Sequence, residues 1–288
     1  MSERLDVLKT YKLFIGGAFP RSESGRSEAL TDGAGRVVGH SCKASRKDLR
    51  EAVVAARAGL AKWSGASAYN RGQVLYRAAE MLQSRRAEMV ELLVQGGADV
   101  AHAGREVEAG VDRLVHFAGW TDKLSHVLGG ANSVAGPYWN ITVPQAVGVV
   151  GVVCPSQAPL LGLISLAAPV LCAGASCVVL SPAWVPVVST LGEVLATSDL
   201  PGGACNILTG DLGELAPVLA GHRDVDAVVT CSGVGAQVVA TLRAGSAENL
   251  KRVTVHAGGD WFDQQAWHTP ALAEAALEHK TAWHPVGS

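Results

Sequence analysis

The chain has 288 residues, 48% of them hydrophobic, with a formal net charge of −2. That length suits one large or two modest domains with a sizeable core, and the near-neutral charge gives no electrostatic case for nucleic acid or an anionic membrane as a partner. Met1–Thr10 is polar and charged and reads as neither a signal nor a transit peptide, so a cytoplasmic location is expected.

Lys12–Phe19 reads as a short hairpin turning at Gly16-Gly17, and Ala29–His40 as a second strand pair around Asp32-Gly33. Ser45 is a helix N-cap with Asp48 in the first turn. Ala52, Val53, Ala56, Leu60 and Trp63 follow at helical spacing. A second amphipathic helix is predicted over Asn70–Val94, ended by Gly96-Gly97. A third runs from Gly104 to His126, with Val107, Val111, Leu114, Val115 and Trp120 on its inner face.

From Leu124 to Gly192 the chain has no Asp, Glu, Lys or Arg. The run opens with a hairpin (Tyr138–Val143, then Ala146 onward). Ala158–Leu180 approaches the ~20 apolar residues of a membrane-spanning helix. Pro169 interrupts it, however, Ser165 and Ser176 dilute it, and no Lys/Arg cluster borders it. A strand–helix–strand unit buried on both faces accounts for the same composition. Beyond it, strands and helices alternate. The predicted strands are Val149–Cys154, Ser176–Leu180, Ala204–Leu208, Asp226–Thr230 and Arg252–His256. The helices between them are Pro159–Ala173, Val185–Ser198, Leu212–Ala220 and Val234–Ala244. This order predicts an α/β fold: a layer of N-terminal helices, then a five-stranded parallel sheet with right-handed crossovers. The tail, residues 261–288, is expected to hold one short helix (Pro270–Lys280) flanked by Trp267 and Trp283. Five of the six cysteines lie in apolar segments and none forms a CxxC pair, so neither disulfides nor a metal site is expected.

The order of elements and six segments resemble the aldehyde dehydrogenase superfamily. The segments are LFIGGAF near the start, AGWTDKL at Ala118–Leu124, GVVGVVCP at Gly148–Pro155, LPGGACNILTG at Leu200–Gly210, HRDVDAVV at His222–Val229 and LKRVTVHAGG at Leu250–Gly259. Six ordered matches are a far more specific signal than one glycine motif. The resemblance covers roughly residues 11–260. It implies a Rossmann-like cofactor domain over residues 1–260, with a dimerisation-type β-hairpin at residues 136–148. It also implies a catalytic domain bearing a nucleophilic cysteine, but nothing after Gly259 resembles that motif. The catalytic domain and its nucleophile are therefore expected to be missing.

Other positions that the resemblance marks as functional are changed. Where the family has an asparagine that donates to the oxyanion, Pro155-Ser156-Gln157 has a longer amide. Where the family has a lysine on the adenosine ribose, this chain has Ser181, followed closely by Trp184, which either fills the vacated groove or packs at a helix start. Ser232-Gly233 stands at the pyrophosphate-side helix start, where amides could still meet a phosphate. The general-base glutamate is replaced by His256, read either as a base or as a hydrogen-bonded edge residue. Gln157 and His256 are thus degenerate catalytic positions. Pro155, Ser156, Ser181, Trp184, Gly210, Ser232 and Gly233 are the groove candidates.

Three functions compete. The first is a pseudoenzyme, similar to the second, non-catalytic unit of the two-unit class-sixteen aldehyde dehydrogenases. It would partner a full-length aldehyde dehydrogenase or a second copy of itself, with no cofactor expected. The Tyr138–Val147 hairpin could offer an edge for strand addition, although Pro137 and Pro144 could equally protect that edge. The second is residual NAD(P) binding in support of a partner that supplies the catalytic cysteine. The third is an active dehydrogenase.

Overall fold

The computed structural model describes residues 7–286. Residues 1–6, most of the segment read as free of a targeting signal, lie outside the described residues. β1 (Thr10–Tyr11), β2 (Ser27–Thr31) and β3 (Val37–Cys42) form a small sheet with β3 in the middle. The hairpin expected at Lys12–Phe19 is reduced to a bridge between Ile15 and Ala18. It turns over Gly16 and Gly17, both at positive φ, where a side chain would strain the backbone. α1 (Arg46–Gly65) begins with a reciprocal cap: Ser45 Oγ accepts from Asp48 N, and Asp48 accepts from Ser45 N.

The helix expected over Asn70–Val94 is two helices, α2 (Ala68–Ser84) and α3 (Arg86–Gln95). The chain bends at Arg85, whose guanidinium pairs with Glu88 and with Glu193, both at 2.7 Å. The third expected helix also divides, into α4 (Val100–Ala118) and α5 (Leu124–Leu128), with Gly119 closing α4. β4 (Gly130–Asn132) and β5 (Tyr138–Ala146) follow, and β5 continues through Pro144 as one strand.

The alternating half matches its expected elements closely. It comprises β6 (Val149–Val153), α6 (Leu161–Cys172), β7 (Ser176–Ser181), α7 (Val185–Ala196), β8 (Cys205–Thr209), α8 (Leu212–Gly221), β9 (Ala227–Cys231), α9 (Ala236–Ser246) and β10 (Arg252–His256). The five strands are parallel, in the order β10-β9-β6-β7-β8. Successive residues of β6 feed opposite faces. Val149 and Val153 pack with α1, α8 and α9 through Leu49, Val53, Leu215 and Leu242. Val150, Val152 and Cys154 pack with α2, α4, α6 and α7 through Leu82, Val107, Leu166 and Val187. Every residue of β6, α6 and β7 is buried, which explains the lack of charge in that part of the run. Among the described residues no helix is long and apolar enough to cross a membrane.

The tail differs from expectation. Instead of one helix over Pro270–Lys280 it has α10 (Gln264–Trp267), α11 (Ala271–Glu274) and then a strand, β11 (Leu277–Pro285). The hairpin expected to turn between Val143 and Ala146 is instead the single strand β5, which β11 pairs antiparallel along all nine residues, so β5 is the middle of a three-stranded sheet, β11-β5-β4. Long-range pairing has overridden the helix propensity of the alanine-rich stretch. One long edge of β5 is therefore already covered by the chain itself. β4 reaches only Asn140–Thr142 on the other side, so Pro144, which has no N–H to donate, falls beyond that pairing.

Candidate functional site

The first sheet strand in the chain, β6, lies at the centre, and the order reverses between β6 and β9. Ligands of open α/β sheets bind outside the carboxyl ends of the strands at such a reversal. A cavity of about 470 Å³ lies there. Pro155 and Ser156 enter it from the end of β6, Ser181 and Pro182 from β7, Gly210–Gly213 from β8, and Gly233 and Val234 from the turn after β9. Five of the seven groove candidates, Pro155, Ser156, Ser181, Gly210 and Gly233, are thus brought together. Ser181 is buried, and its Oγ accepts from Ala183 N at 3.4 Å, closing a local turn.

Two charged side chains that sequence reasoning missed also line the cavity: Lys43, just after β3, and Glu28 on β2. They arrive because the end of β3 is tied to the end of β8. Thr209 Oγ1 donates to Cys42 O at 3.1 Å, and Ala44 N to Thr209 O at 2.9 Å. Asp211 adds a carboxylate, but it is the α8 N-cap and already accepts from Glu214 N at 2.9 Å. On the β9 side, the amides of Gly233 and Val234 act on the Cys231 thiol by lowering its pKa. They oppose burial, which raises that thiol above its ordinary value.

Four positions do not line this cavity. Trp184 turns its indole away from the large cavity: Nε1 donates to Leu92 O at 2.9 Å, and the ring covers Gly96, where a Cβ would sit under 3.0 Å from ring carbons. Of the two readings left open for it, packing at the helix start is the one observed. Gln157 is exposed. With Trp184, His102 and Glu106 it lines a smaller cavity of about 280 Å³. Ser232 Oγ accepts from Gly258 N at 2.7 Å, pinning the loop after β10 to the turn after β9. His256 ends the edge strand β10, its ring edge-on to Trp267 at 6.3 Å, and burial lowers its pKa.

All six cysteines are buried and free. Burial raises Cys154 well above its ordinary value and Cys172 to about 12. Cys177, opposite Cys205 in the β7–β8 register, is raised first by its hydrogen bond to that residue and then by burial. Among the described residues no group of His, Cys, Asp and Glu is arranged to hold a metal.

The model of the aldehyde dehydrogenase family matches residues 19–261. The chain belongs to the aldehyde dehydrogenase family. Cytosolic 10-formyltetrahydrofolate dehydrogenase of Mus musculus is 30% identical over 270 residues, covering 89% of this chain and 29% of that protein. 2-Hydroxymuconic semialdehyde dehydrogenase of Pseudomonas putida is 31% identical over 261 residues, covering 88% and 53% respectively. The NAD+ complex of aldehyde dehydrogenase from Bacillus cereus shares the fold with a TM-score of 0.80 at 26% identity, over 87% of this chain and 51% of that one. This aldehyde dehydrogenase family chain therefore spans about half or less of the length of these relatives.

Proposed function

We propose that this chain is a non-catalytic member of the aldehyde dehydrogenase family that works through protein contact, with a full-length aldehyde dehydrogenase or a second copy of itself as partner. The observation that carries this reading is the state of the thiols. Attack on an aldehyde needs an ionised, accessible sulfur, whereas every cysteine here is buried and every resolved shift is upward. Gln157 is exposed and lines the smaller cavity, which adjoins the main one at Ser156, and His256 has no ionised sulfur beside it to serve. The sheet β11-β5-β4 is the contact surface this reading favours: Trp139 and Trp283 are exposed on it, with Tyr138 edge-on to Trp283 at 5.8 Å. The test is twofold. The isolated chain should form no NADH from NAD and short aldehydes, and native mass spectrometry should find it as a dimer or bound to a full-length aldehyde dehydrogenase from the same cytosol. Aldehyde-dependent NADH formation, or a strictly monomeric chain with no such partner, overturns the proposal.

A second reading, residual NAD(P) binding, is favoured by Lys43. The cavity at the strand ends offers an ammonium there, the Ser156 hydroxyl and the Glu28 carboxylate, a set that fits the hydroxyl-rich adenosine half of a dinucleotide. The pyrophosphate fits less well, because Ser232 Oγ is already engaged by Gly258 N. If bound, NAD(P) would supply hydride chemistry; these residues would only hold its sugar and base. Calorimetric titration with NAD and NADP tests this reading, and no heat at millimolar cofactor removes it.

A further inference from the structure

Away from the strand ends, α4 and the segment Trp261–His268 enclose a separate cavity of about 290 Å³. Its floor includes Arg113, which is 1% exposed. A buried guanidinium is normally paired with a carboxylate. Among the described residues Arg113 makes no ion pair: Nη1 donates to Ser165 Oγ at 2.5 Å and Nη2 to Trp261 O at 3.0 Å, both neutral acceptors. Ser165 Oγ is in turn committed to Leu161 O at 2.6 Å, so it has no second proton with which to rearrange. Arg113 Nε has no partner at all. Burial lowers the Arg113 pKa to about 10, with no neighbouring charge offsetting that effect. The group is therefore still a cation at neutral pH, held in a low-dielectric floor without a counter-ion. Leaving it so is costly, and an anion in the cavity would relieve the cost.

The walls define which anion. Phe262 forms an apolar side, with Arg105 stacked over its ring at 4.8 Å from the centroid. His268 and Gln264 are neutral polar groups; His268 is stacked on His116 at 4.6 Å, and burial together with Arg113 lowers its pKa. Asp112 and Glu108 stand at the exposed rim, Glu108 held by Arg86 at 2.6 Å. These exposed carboxylates oppose the exposed cation Arg105, which leaves the one buried charge of Arg113 for a ligand to neutralise and favours a monoanion over a dianion. The guanidinium fork matches a planar carboxylate, and the volume suits a small molecule.

We propose that this cavity binds a small monocarboxylate, with Arg113 as its charge partner and Phe262 against its apolar part. The site lies outside the nucleotide-type cavity and does not depend on the reading given there. The test uses the full chain with sodium acetate and sodium benzoate as probes, sodium chloride at matched ionic strength as control, and inorganic phosphate as the dianion arm. The expected result is a saturable rise in melting temperature of roughly 3–5 °C at about ten times Kd, confirmed by calorimetry, with phosphate at least about tenfold weaker. Arg113→Met should abolish the effect. Because that variant could fail to fold, Asp112→Asn at the exposed rim is the second arm and should tighten acetate or benzoate about threefold. A response no greater than chloride, undiminished binding by folded Arg113→Met, or no change with Asp112→Asn overturns the site. Phosphate binding as tightly as the carboxylates overturns the ligand assignment.

Discussion

Glu106→Ala should be among the most damaging single changes in the chain, because α6 has no cap of its own. Its N-cap is Leu160, whose side chain offers no acceptor. Glu106, reaching across from α4, takes that role: one carboxylate oxygen accepts from Leu160 N at 2.9 Å and Leu161 N at 3.1 Å. The carboxylate is buried, and so are all residues of the helix it caps, so water cannot readily replace it. Each charge-assisted hydrogen bond of this kind contributes about 1.5–3 kcal/mol, and an orphaned buried amide costs a comparable amount. Partial relaxation around the truncated side chain keeps the sum to about 3–4 kcal/mol. For a domain of this size that corresponds to a fall in Tm of about 8–12 °C. Glu106→Gln keeps an acceptor oxygen and loses only the charge that complements the helix dipole, about 1 kcal/mol. Urea unfolding followed by circular dichroism gives both numbers, and hydrogen exchange at the Leu160 and Leu161 amides localises the effect. If Glu106→Ala lies within 1 kcal/mol of the parent (~1 being the scale of an ordinary surface change), or matches Glu106→Gln, the capping argument is wrong.

Acid should destabilise the fold through its histidines. His116 is lowered to about 4, first by burial and then by His268 and Arg113, and His268, His256 and His222 are lowered chiefly by burial. The native state therefore binds fewer protons than the unfolded chain below the ordinary value of 6.5. Stability is fully present above that pH and is lost as pH falls toward 4. His116 is only partly buried, so its share is about 1–2 kcal/mol after solvent screening. Denaturant midpoints that stay flat between about pH 7.5 and 4.5 would contradict this. Lys43→Ala should weaken any NAD(P) binding about five- to tenfold by calorimetry, and Ser181→Lys should strengthen it; unchanged affinity in both would remove Lys43 from the site. Gly148→Ala should cost about 3 kcal/mol or more. Gly148 has φ of 133°, and an added Cβ would collide with Asp226 Oδ2, the acceptor for Val149 N at 2.7 Å and for Arg57 at 2.8 Å. A thermal melt within about 2 °C of the parent refutes that.

The sheet was readable in the sequence because a strand buried on both faces must be largely apolar, as β6, β7, β8 and β9 are apart from Ser176, Ser181, Asn206, Thr209 and Thr230. Their ends agree with expectation to within about a residue, the usual uncertainty of an element boundary. The tail was not readable. Ala271–Leu277 favours helix locally, and what makes Leu277–Pro285 a strand is β5, far away in the chain. The break at Arg85 depends likewise on Glu193, a distant partner. On α4, apolar periodicity placed Val111 and Val115 inside. The structure packs Val111 against the core but also buries Glu106 and Arg113 and leaves Val115 exposed, because the hydrogen bonds of buried polar groups are partners that hydropathy cannot represent. The groove candidates at the strand ends converged because parallel strands bring their carboxyl ends together whatever their side chains. Lys43 and Glu28 join them only through the tie between Cys42–Ala44 and Thr209.

That last contact changes what the uncharged run means. Read along the chain, Ser181 within Leu124–Gly192 looks like a cation removed from the nucleotide groove. In space, the cavity around Ser181 contains Lys43, Glu28 and Asp211, all supplied by segments outside the run. Loss of charge from the sequence stretch is therefore not loss of charge from the site, and binding and chemistry must be judged separately. Chemistry would need a thiolate, and burial raises the Cys154 and Cys172 thiols above their ordinary values. Binding would depend on charge and shape at the strand ends, where Lys43 brings an ammonium from outside the run. Ser181→Lys in the parent and in Lys43→Ala separates these cases. If Lys43 substitutes for the missing lysine, the second background should gain more affinity for NAD(P) than the first, since two ammonium groups around one ribose repel each other.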